Sequence, residues 1–118
     1  MFDSSLLKIE YPDLPVVEKK EDFLSLLKSH SVIIVQADTG SGKSTQLPKF
    51  LLESGIAAQG RIGVTEPRRL AALSIADRLR EELKDESLVA TRIRFLEEGS
   101  AKAPIKVMTD GILLQEFR

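Results

Sequence analysis

A group of glycine, lysine and hydroxyl residues, GSGKST, begins at Gly40. Gly40 and Gly42 let the backbone bend so that successive N–H groups can face phosphate oxygens. Lys43 can reach the terminal phosphates of a nucleotide, and the Ser44 hydroxyl can ligate Mg²⁺. The pattern G-x-x-x-x-G-K-S is met apart from Ala37, which stands where its first glycine would be. We therefore predict a loop that binds a nucleotide together with Mg²⁺.

The elements around this loop have the order that a phosphate-binding loop requires. Residues 32–37, VIIVQA, form a β-branched run of the length of a buried strand. A helix is expected over residues 43–54, with Gly55 placed to end it. Upstream we predict an irregular arm over residues 1–17 and an amphipathic helix over residues 18–29.

The rest of the chain alternates between strand and helix patterns. The predicted elements are strands at 61–65, 89–95 and 105–109, helices at 68–84 and 110–118, and a loop at 96–104. Asp110 is expected to cap the last helix. This alternation favours an α/β fold with a parallel, doubly wound sheet. Ligands then belong at the carboxyl ends of the strands.

Bulk composition sets limits on the class of protein. The chain has 118 residues, 42% of them hydrophobic, which is enough for one small domain. Its net charge of −1 gives no general attraction for nucleic acid, so such contacts need a local cluster of cations. The absence of cysteine excludes disulfides and thiolate metal sites. We find neither a signal peptide nor a membrane-spanning run and expect a soluble protein of the cytoplasm.

Several stretches downstream of the loop occur together at a family's natural spacing. They are GKSTQLPKF, TEPRRLAA, ADRLREEL, RIRF and MTDGILLQE. Together they resemble the first RecA-like domain of the DEAH-box RNA helicases of superfamily 2, most closely the bacterial branch. The lead-in LPVVEKKEDFLSLLKSH is also similar, so the resemblance covers about residues 10–118. It implies a P-loop NTPase fold with a parallel sheet, flanking helices and a partial first RecA-like domain at residues 18–118.

The resemblance also implies a set of residues that bind ATP and Mg²⁺. The expected nucleotide-binding residues are Thr39, Gly40, Ser41, Gly42, Lys43, Ser44 and Thr45. Among them, Lys43 is the expected catalytic residue and Ser44 the expected metal ligand. Arg78 matches an arginine that stacks on the adenine base, with an ordinary surface arginine as the alternative.

A second set of residues is expected to contact single-stranded RNA. They are Thr65, Pro67, Arg68 and Arg69 of motif Ia, and Thr109, Asp110 and Gly111 of motif Ib. Two adjacent guanidiniums at a strand exit can bind backbone phosphates without reading sequence. Arg94 and Phe95 match the family's RF pair, for which we expect a structural or RNA-side role. The chain departs from the family at Ala90, often glycine, and at Glu66, often glutamine.

Two groups of residues outside these motifs are expected to be structural. Glu81, Glu82, Asp85 and Glu86 are interpreted as a solvated helix end and not as a metal site. Tyr11 is expected to pack in the core or against the arm.

The predicted function is the ATP-binding portion of an ATP-dependent RNA helicase. The implied partners are single-stranded RNA, with DNA left open, and the remainder of the helicase, including a second RecA-like domain. Hydrolysis also needs a Walker B acid. Asp110 is a poor candidate because Lys106 interrupts the strand before it and TDGILL matches motif Ib. We expect the chain to stop before that acid, to show negligible RNA-stimulated ATPase activity, and to expose an apolar sheet edge.

Two alternatives from other classes stay open. One is a non-catalytic nucleotide- or RNA-binding module that functions at this length. The other is a P-loop kinase of a small molecule, which would need an arginine-rich lid and an acid that binds the acceptor.

Overall fold

The computed structural model describes residues 2–5, 7–37 and 41–116. One mixed sheet has the strand order β1-β4-β2-β3. Its strands are β1 (Ile62–Glu66), β2 (Val89–Ile93), β3 (Leu96–Glu98) and β4 (Ile105–Thr109). Strand β4 runs parallel to both β1 and β2, whereas β3 pairs antiparallel with β2. Three strands therefore have the parallel arrangement predicted, and a short hairpin strand closes one edge.

Within the described ranges, four α-helices surround the sheet or precede it. They are α1 (Lys20–Leu27), α2 (Lys43–Glu53), α3 (Arg69–Leu83) and α4 (Asp110–Glu116). Short 3-10 helices lie at Pro15–Lys19, Ile56–Ala58 and Glu86–Leu88. In the part of the chain that the structure describes, no helix is long and apolar enough to cross a membrane.

Helices cover both faces of the sheet. The buried residues of α3 are Ala72, Ile75, Ala76 and Leu79. They belong to the same core as Ile105 and Val107 of β4. Because side chains alternate along a strand, Lys106 points to the opposite face. There its Nζ donates to Glu116 of α4, so α4 lies across the sheet from α3. This confirms the predicted α/β class.

The segment before the phosphate-binding loop corrects the sequence-based prediction. Residues 32–37, expected to form a buried strand, have no regular secondary structure, and Val32 and Ile34 are 79% and 83% exposed. A strand needs a neighbour for its backbone hydrogen bonds, and the segment is not part of the sheet. The apolar pattern is typical of a strand, but a pattern does not show whether a neighbouring strand is available for pairing. An exposed apolar segment of this kind favours association.

Smaller corrections concern the ends of elements. Residues 96–104 were predicted to be a loop, but β3 forms within them. Strand β2 ends two residues earlier than predicted because the chain turns at Phe95, which has φ +66°. Helix α4 begins at Asp110 itself, so this residue lies in the first turn instead of capping it. By contrast, the strand predicted at residues 105–109 is confirmed at both ends.

The N-terminal region packs against α2. The Tyr11 hydroxyl donates to Oε1 of Glu53 at 2.9 Å, and its ring lies 5.5 Å from that of Phe50. Lys20 reaches the same carboxylate at 3.1 Å. Burial first, and then hydrogen bonding to Glu53, raise the pKa of Tyr11 far above its usual value. The phenol is therefore a neutral donor that fastens this region to α2.

Candidate functional site

The loop predicted to bind phosphate meets α2 at Gly42. Gly42 is the N-cap residue, with φ +94°, and its carbonyl accepts the first helical hydrogen bond, from Gln46 N–H at 2.9 Å. A left-handed conformation of this kind favours glycine. Lys43 begins the helix, and Ser44 in the first turn is exposed. Thr39 and Gly40 of the predicted site lie outside the described residues.

Residues 14–16, which we call the N-terminal strap, hold this loop from one side. The Val16 N–H donates to the Ser41 carbonyl at 3.2 Å. A Cβ added to Gly42 would lie 2.6 Å from Cδ1 of Leu14. The positive φ at residue 42 therefore favours glycine, and a Cβ there would also require the Leu14 side chain to move. Sequence analysis found the glycine but not its contact with the strap.

Replacing Gly42 with alanine is expected to lower the free energy of unfolding by roughly 1–3 kcal/mol, since the change strains both φ and packing. Urea unfolding measures the loss. Gly60→Ala is the matched control, because nothing lies within 4 Å of its added Cβ. That control is expected to change stability by less than about 0.5 kcal/mol. Equal effects of the two variants would contradict the role given to the strap.

The local chemistry of the loop fits an anionic group. Among the described residues, no side chain caps the start of helix α2, so these residues leave its first N–H groups without a side-chain acceptor. The buried hydroxyl of Ser41 also has no hydrogen-bond partner among the described residues. Nζ of Lys43 donates to the Ala37 carbonyl at 3.2 Å, which keeps the cation beside the loop. Helix dipole, free donors and cation all favour a phosphate here.

A polar network links the loop to α3. The Thr45 hydroxyl donates to the Gly42 carbonyl at 3.3 Å and accepts from Nε2 of Gln46 at 2.9 Å. The same Gln46 nitrogen lies 2.9 Å from Oε1 of Glu82. Glu82 also accepts from the fully buried Lys49 at 2.8 Å. The first turn of α2 is therefore connected to a carboxylate on the neighbouring helix.

The electrostatics of Glu82 correct the sequence-based prediction of a solvated helix end. Its side chain is only 13% exposed and pairs with both Lys49 and Arg78. Burial alone would raise the pKa of Glu82, but hydrogen bonds from Gln46, Lys49 and Arg78 lower it to about 2. A charged lysine on the apolar side of α2 was the available signal, because a buried cation needs a partner.

Arg78, predicted to contact the base, is held by the same carboxylate. Its Nε lies 2.5 Å from Oε2 of Glu82 one turn along α3, and its side chain is 56% exposed. The hydrogen bond to Glu82 raises the pKa of Arg78. The guanidinium is therefore a fixed cation with an accessible surface.

The two predicted RNA-binding groups lie at the carboxyl ends of neighbouring strands. Glu66, the last residue of β1, is in register with Thr109, the last residue of β4. Residues 67–69 follow β1, and Asp110 and Gly111 follow β4. The structure thus brings motif Ia and motif Ib together at one edge of the sheet. Arrangement at this edge was expected from the parallel pairing.

The two arginines of motif Ia have different surroundings. Arg68 is the N-cap residue of α3 and is exposed. Arg69 donates to the Arg94 carbonyl at 2.9 Å and so braces the β2–β3 turn. In that turn, Phe95 is 89% exposed and lies under the Arg94 guanidinium at 4.8 Å. The RF pair is therefore joined to motif Ia through Arg69.

The fold and these two groups define an α/β domain with a glycine-rich loop before α2 and a strand-end edge that carries Arg68 and Arg69. No family model matches the chain. The chain is 49% identical over 114 residues to ATP-dependent RNA helicase HrpA of Escherichia coli, covering 94% of the chain and 9% of that protein. It is 43% identical over 108 residues to the human probable ATP-dependent RNA helicase DHX40, covering 90% and 14%.

A solved helicase structure is also similar to most of this chain. The crystal structure of Escherichia coli DEAH/RHA helicase HrpB matches with a TM-score of 0.81 at 36% identity, over 89% of this chain and 14% of that one. The resemblance is thus confirmed: the chain is homologous to a segment of the DEAH/RHA helicases. It spans only about a tenth of the length of the relatives it matches.

Proposed function

We propose that the chain is the ATP-binding portion of an ATP-dependent RNA helicase, within a partial first RecA-like domain. The observation that carries this proposal is the start of α2 at Lys43, which no described side chain caps, together with the left-handed conformation of Gly42 and a buried Ser41 hydroxyl without a partner among the described residues. Such a site suits phosphate, and the homologous proteins are named as ATP-dependent.

The proposed site holds ATP through the loop and Mg²⁺ through Ser44. The residues assigned to the phosphates are Thr39, Gly40, Ser41, Gly42, Lys43, Ser44 and Thr45. When bound, Mg²⁺-ATP supplies the phosphoryl chemistry of the helicase, while Lys43 neutralises phosphate charge. Arg78 is assigned to the base. Turnover in this proposal takes place in the cytoplasm and depends on further parts of the helicase, including the second RecA-like domain.

RNA is proposed to bind at the strand-end edge of the sheet that carries Arg68 and Arg69. Thr65, Pro67, Arg68, Arg69, Thr109, Asp110 and Gly111 are assigned to its backbone. Register between β1 and β4 supports the assignment, because it gathers both motifs at one edge. Contacts of guanidiniums with phosphates position a strand without reading its sequence. Single-stranded RNA is therefore the proposed ligand, with DNA as the competitor in the test.

The chain by itself is expected to bind Mg²⁺-ATP but to turn it over negligibly, with or without RNA. The reason is that the proposal assigns Asp110 to motif Ib, which leaves no described residue assigned as the Walker B acid. Phosphate release and ATP binding are measured side by side on the purified chain. Binding without turnover supports the proposal, robust RNA-stimulated turnover contradicts the partial-site assignment, and absence of ATP binding overturns the function.

Replacing Arg68 with alanine is expected to weaken RNA binding. The slope of the logarithm of the binding constant against the logarithm of the salt concentration should fall in magnitude by about 1, as for one lost phosphate contact. Arg68 is suited to this test because it is exposed, whereas Arg69 also braces the β2–β3 turn. Oligoribonucleotide titrations at several salt concentrations measure the slope. Lys102→Ala, another exposed cation, is the control and should leave it unchanged.

A further inference from the structure

The two carboxylate oxygens of Glu82 accept hydrogen bonds from different partners. Oε1 accepts from Lys49 at 2.8 Å and from Gln46 at 2.9 Å, both on α2. Oε2 accepts from Nε of Arg78 at 2.5 Å, on the same helix as Glu82. One side chain therefore fixes the packing of the two helices and the direction of an exposed arginine.

Attachment through Nε leaves the recognition surface of Arg78 available. The side chain is 56% exposed although its Nε is fastened. A guanidinium is planar and stacks on aromatic faces, and its terminal nitrogens keep their donors. An arginine held in this way has already lost much of the rotamer freedom that binding would otherwise remove.

The same network reaches the residues assigned to the phosphates. From Glu82 it passes through Gln46 to the Thr45 hydroxyl, and from there to the Gly42 carbonyl. All three of these partners lie in the loop or in the first turn of α2. Both ends of a bound nucleotide would therefore be set by one connected group of side chains.

We propose that Glu82, which is itself fastened to α2 by Lys49 and Gln46, is a positioning residue that orients Arg78 toward the nucleotide base. The inference rests on the proposed nucleotide site and goes beyond it by assigning base-dependent affinity to a residue that does not touch the nucleotide. Loss of the anchor leaves the phosphate contacts in place but makes Arg78 pay its ordering entropy on binding.

The test compares ATP with tripolyphosphate, which has the phosphates but no base. Glu82→Gln is expected to weaken ATP binding by roughly three- to tenfold, the cost of ordering one long side chain. Tripolyphosphate binding should stay within about twofold. Glu81→Gln removes the same charge from the adjacent, exposed position and should change neither affinity. Isothermal titration with Mg²⁺ present measures all of them on the full chain.

The possible outcomes distinguish failure of the proposed nucleotide site from failure of the role proposed for Glu82. Selective loss of ATP affinity in Glu82→Gln supports the proposal. Equal loss for both ligands shows a merely structural role, and unchanged affinities show no role, so both overturn it. If the unsubstituted chain binds neither ligand, the proposed nucleotide site itself is overturned, which is a separate result.

A second pair of variants covers the case in which Glu82→Gln fails to fold. Lys49→Met removes the buried cation, and Lys49→Met/Glu82→Gln removes the anchor of Arg78 in that neutral background. The double variant should bind ATP roughly three- to tenfold more weakly than Lys49→Met, with equal tripolyphosphate affinity. Equal ATP affinity of these two variants overturns the proposal.

Discussion

Replacing Glu82 with leucine is expected to lower the free energy of unfolding by about 3–5 kcal/mol. Lys49 is fully buried and its ion-pair partner is Glu82. Without the carboxylate, the ammonium group stays out of water, and among the described residues only the Tyr11 ring, at 4.8 Å, is left as a weaker cation–π partner. Because the total stability of a domain is about 5–15 kcal/mol, a loss of this size is large. Urea unfolding measures it.

A double variant separates the buried charge from simple loss of packing. Lys49→Met/Glu82→Leu should recover most of the lost stability, because an apolar pair of similar volume often replaces a buried ion pair without cost. Glu81→Leu, at an exposed position, is the control and should stay within about 0.5 kcal/mol. If Glu82→Leu is as mild as this control, the buried ion pair does not stabilise the fold as described.

The pH dependence of the same pair has a definite sign. Burial raises the pKa of Glu82, but its three hydrogen-bond donors outweigh burial and lower it from 4.5 to about 2. A lowered pKa contributes stability that is complete above about pH 4.5 and is lost as the pH falls toward 2. The stability difference between the unsubstituted chain and Glu82→Leu should therefore shrink across this window.

Replacing Lys43 with alanine is expected to weaken Mg²⁺-ATP binding roughly 10- to 100-fold, the value of a charge-assisted contact with phosphate. Folding should change little, because within the described residues the lysine makes one hydrogen bond, to the Ala37 carbonyl, with a net worth of about 1 kcal/mol. Titration with ATP and urea unfolding measure the two quantities separately. The variant thus distinguishes a binding role from a structural one.

Lys102→Ala serves as the control for net charge, since this lysine is exposed in the β3–β4 connection. Its ATP affinity should match that of the unsubstituted chain. Were Lys43→Ala to bind ATP as tightly as this control, the loop would not be the phosphate site.

Local patterns predicted the elements whose type and ends are marked by their own residues or by the residues that flank them. Helix α3 was placed within one residue at each end because its apolar residues recur at helical spacing. Strand β4 was placed at both ends because Pro104 and Asp110 flank a short apolar run. The segment at residues 32–37 failed for the opposite reason. Its pattern is that of a strand, but pairing is decided by neighbours in space, which a pattern does not contain.

The same distinction between local patterns and contacts of distant residues applies to the candidate site. Gly42, Lys43 and Ser44 were found from spacing, because a phosphate-binding loop is a local motif. Contact of Leu14 with Gly42 and of Glu82 with Lys49 was missed, because each joins residues far apart in the chain. For the contact of Glu82 with Lys49, the sequence offers a lysine on the apolar side of α2 as a hint. The identity of its partner follows from the packing of α2 on α3.

The central claim is that the loop before α2 binds the phosphates of ATP, and backbone amide NMR of the isotope-labelled chain tests it most directly. On titration with Mg²⁺-ATP, we predict that the largest shifts occur at Ser41, Gly42, Lys43, Ser44 and Thr45, with smaller ones around Arg78. No shifts in this loop, or shifts confined to the cavity between α1 and α2 that is lined by Leu24, Leu27 and Ile56, would contradict the account.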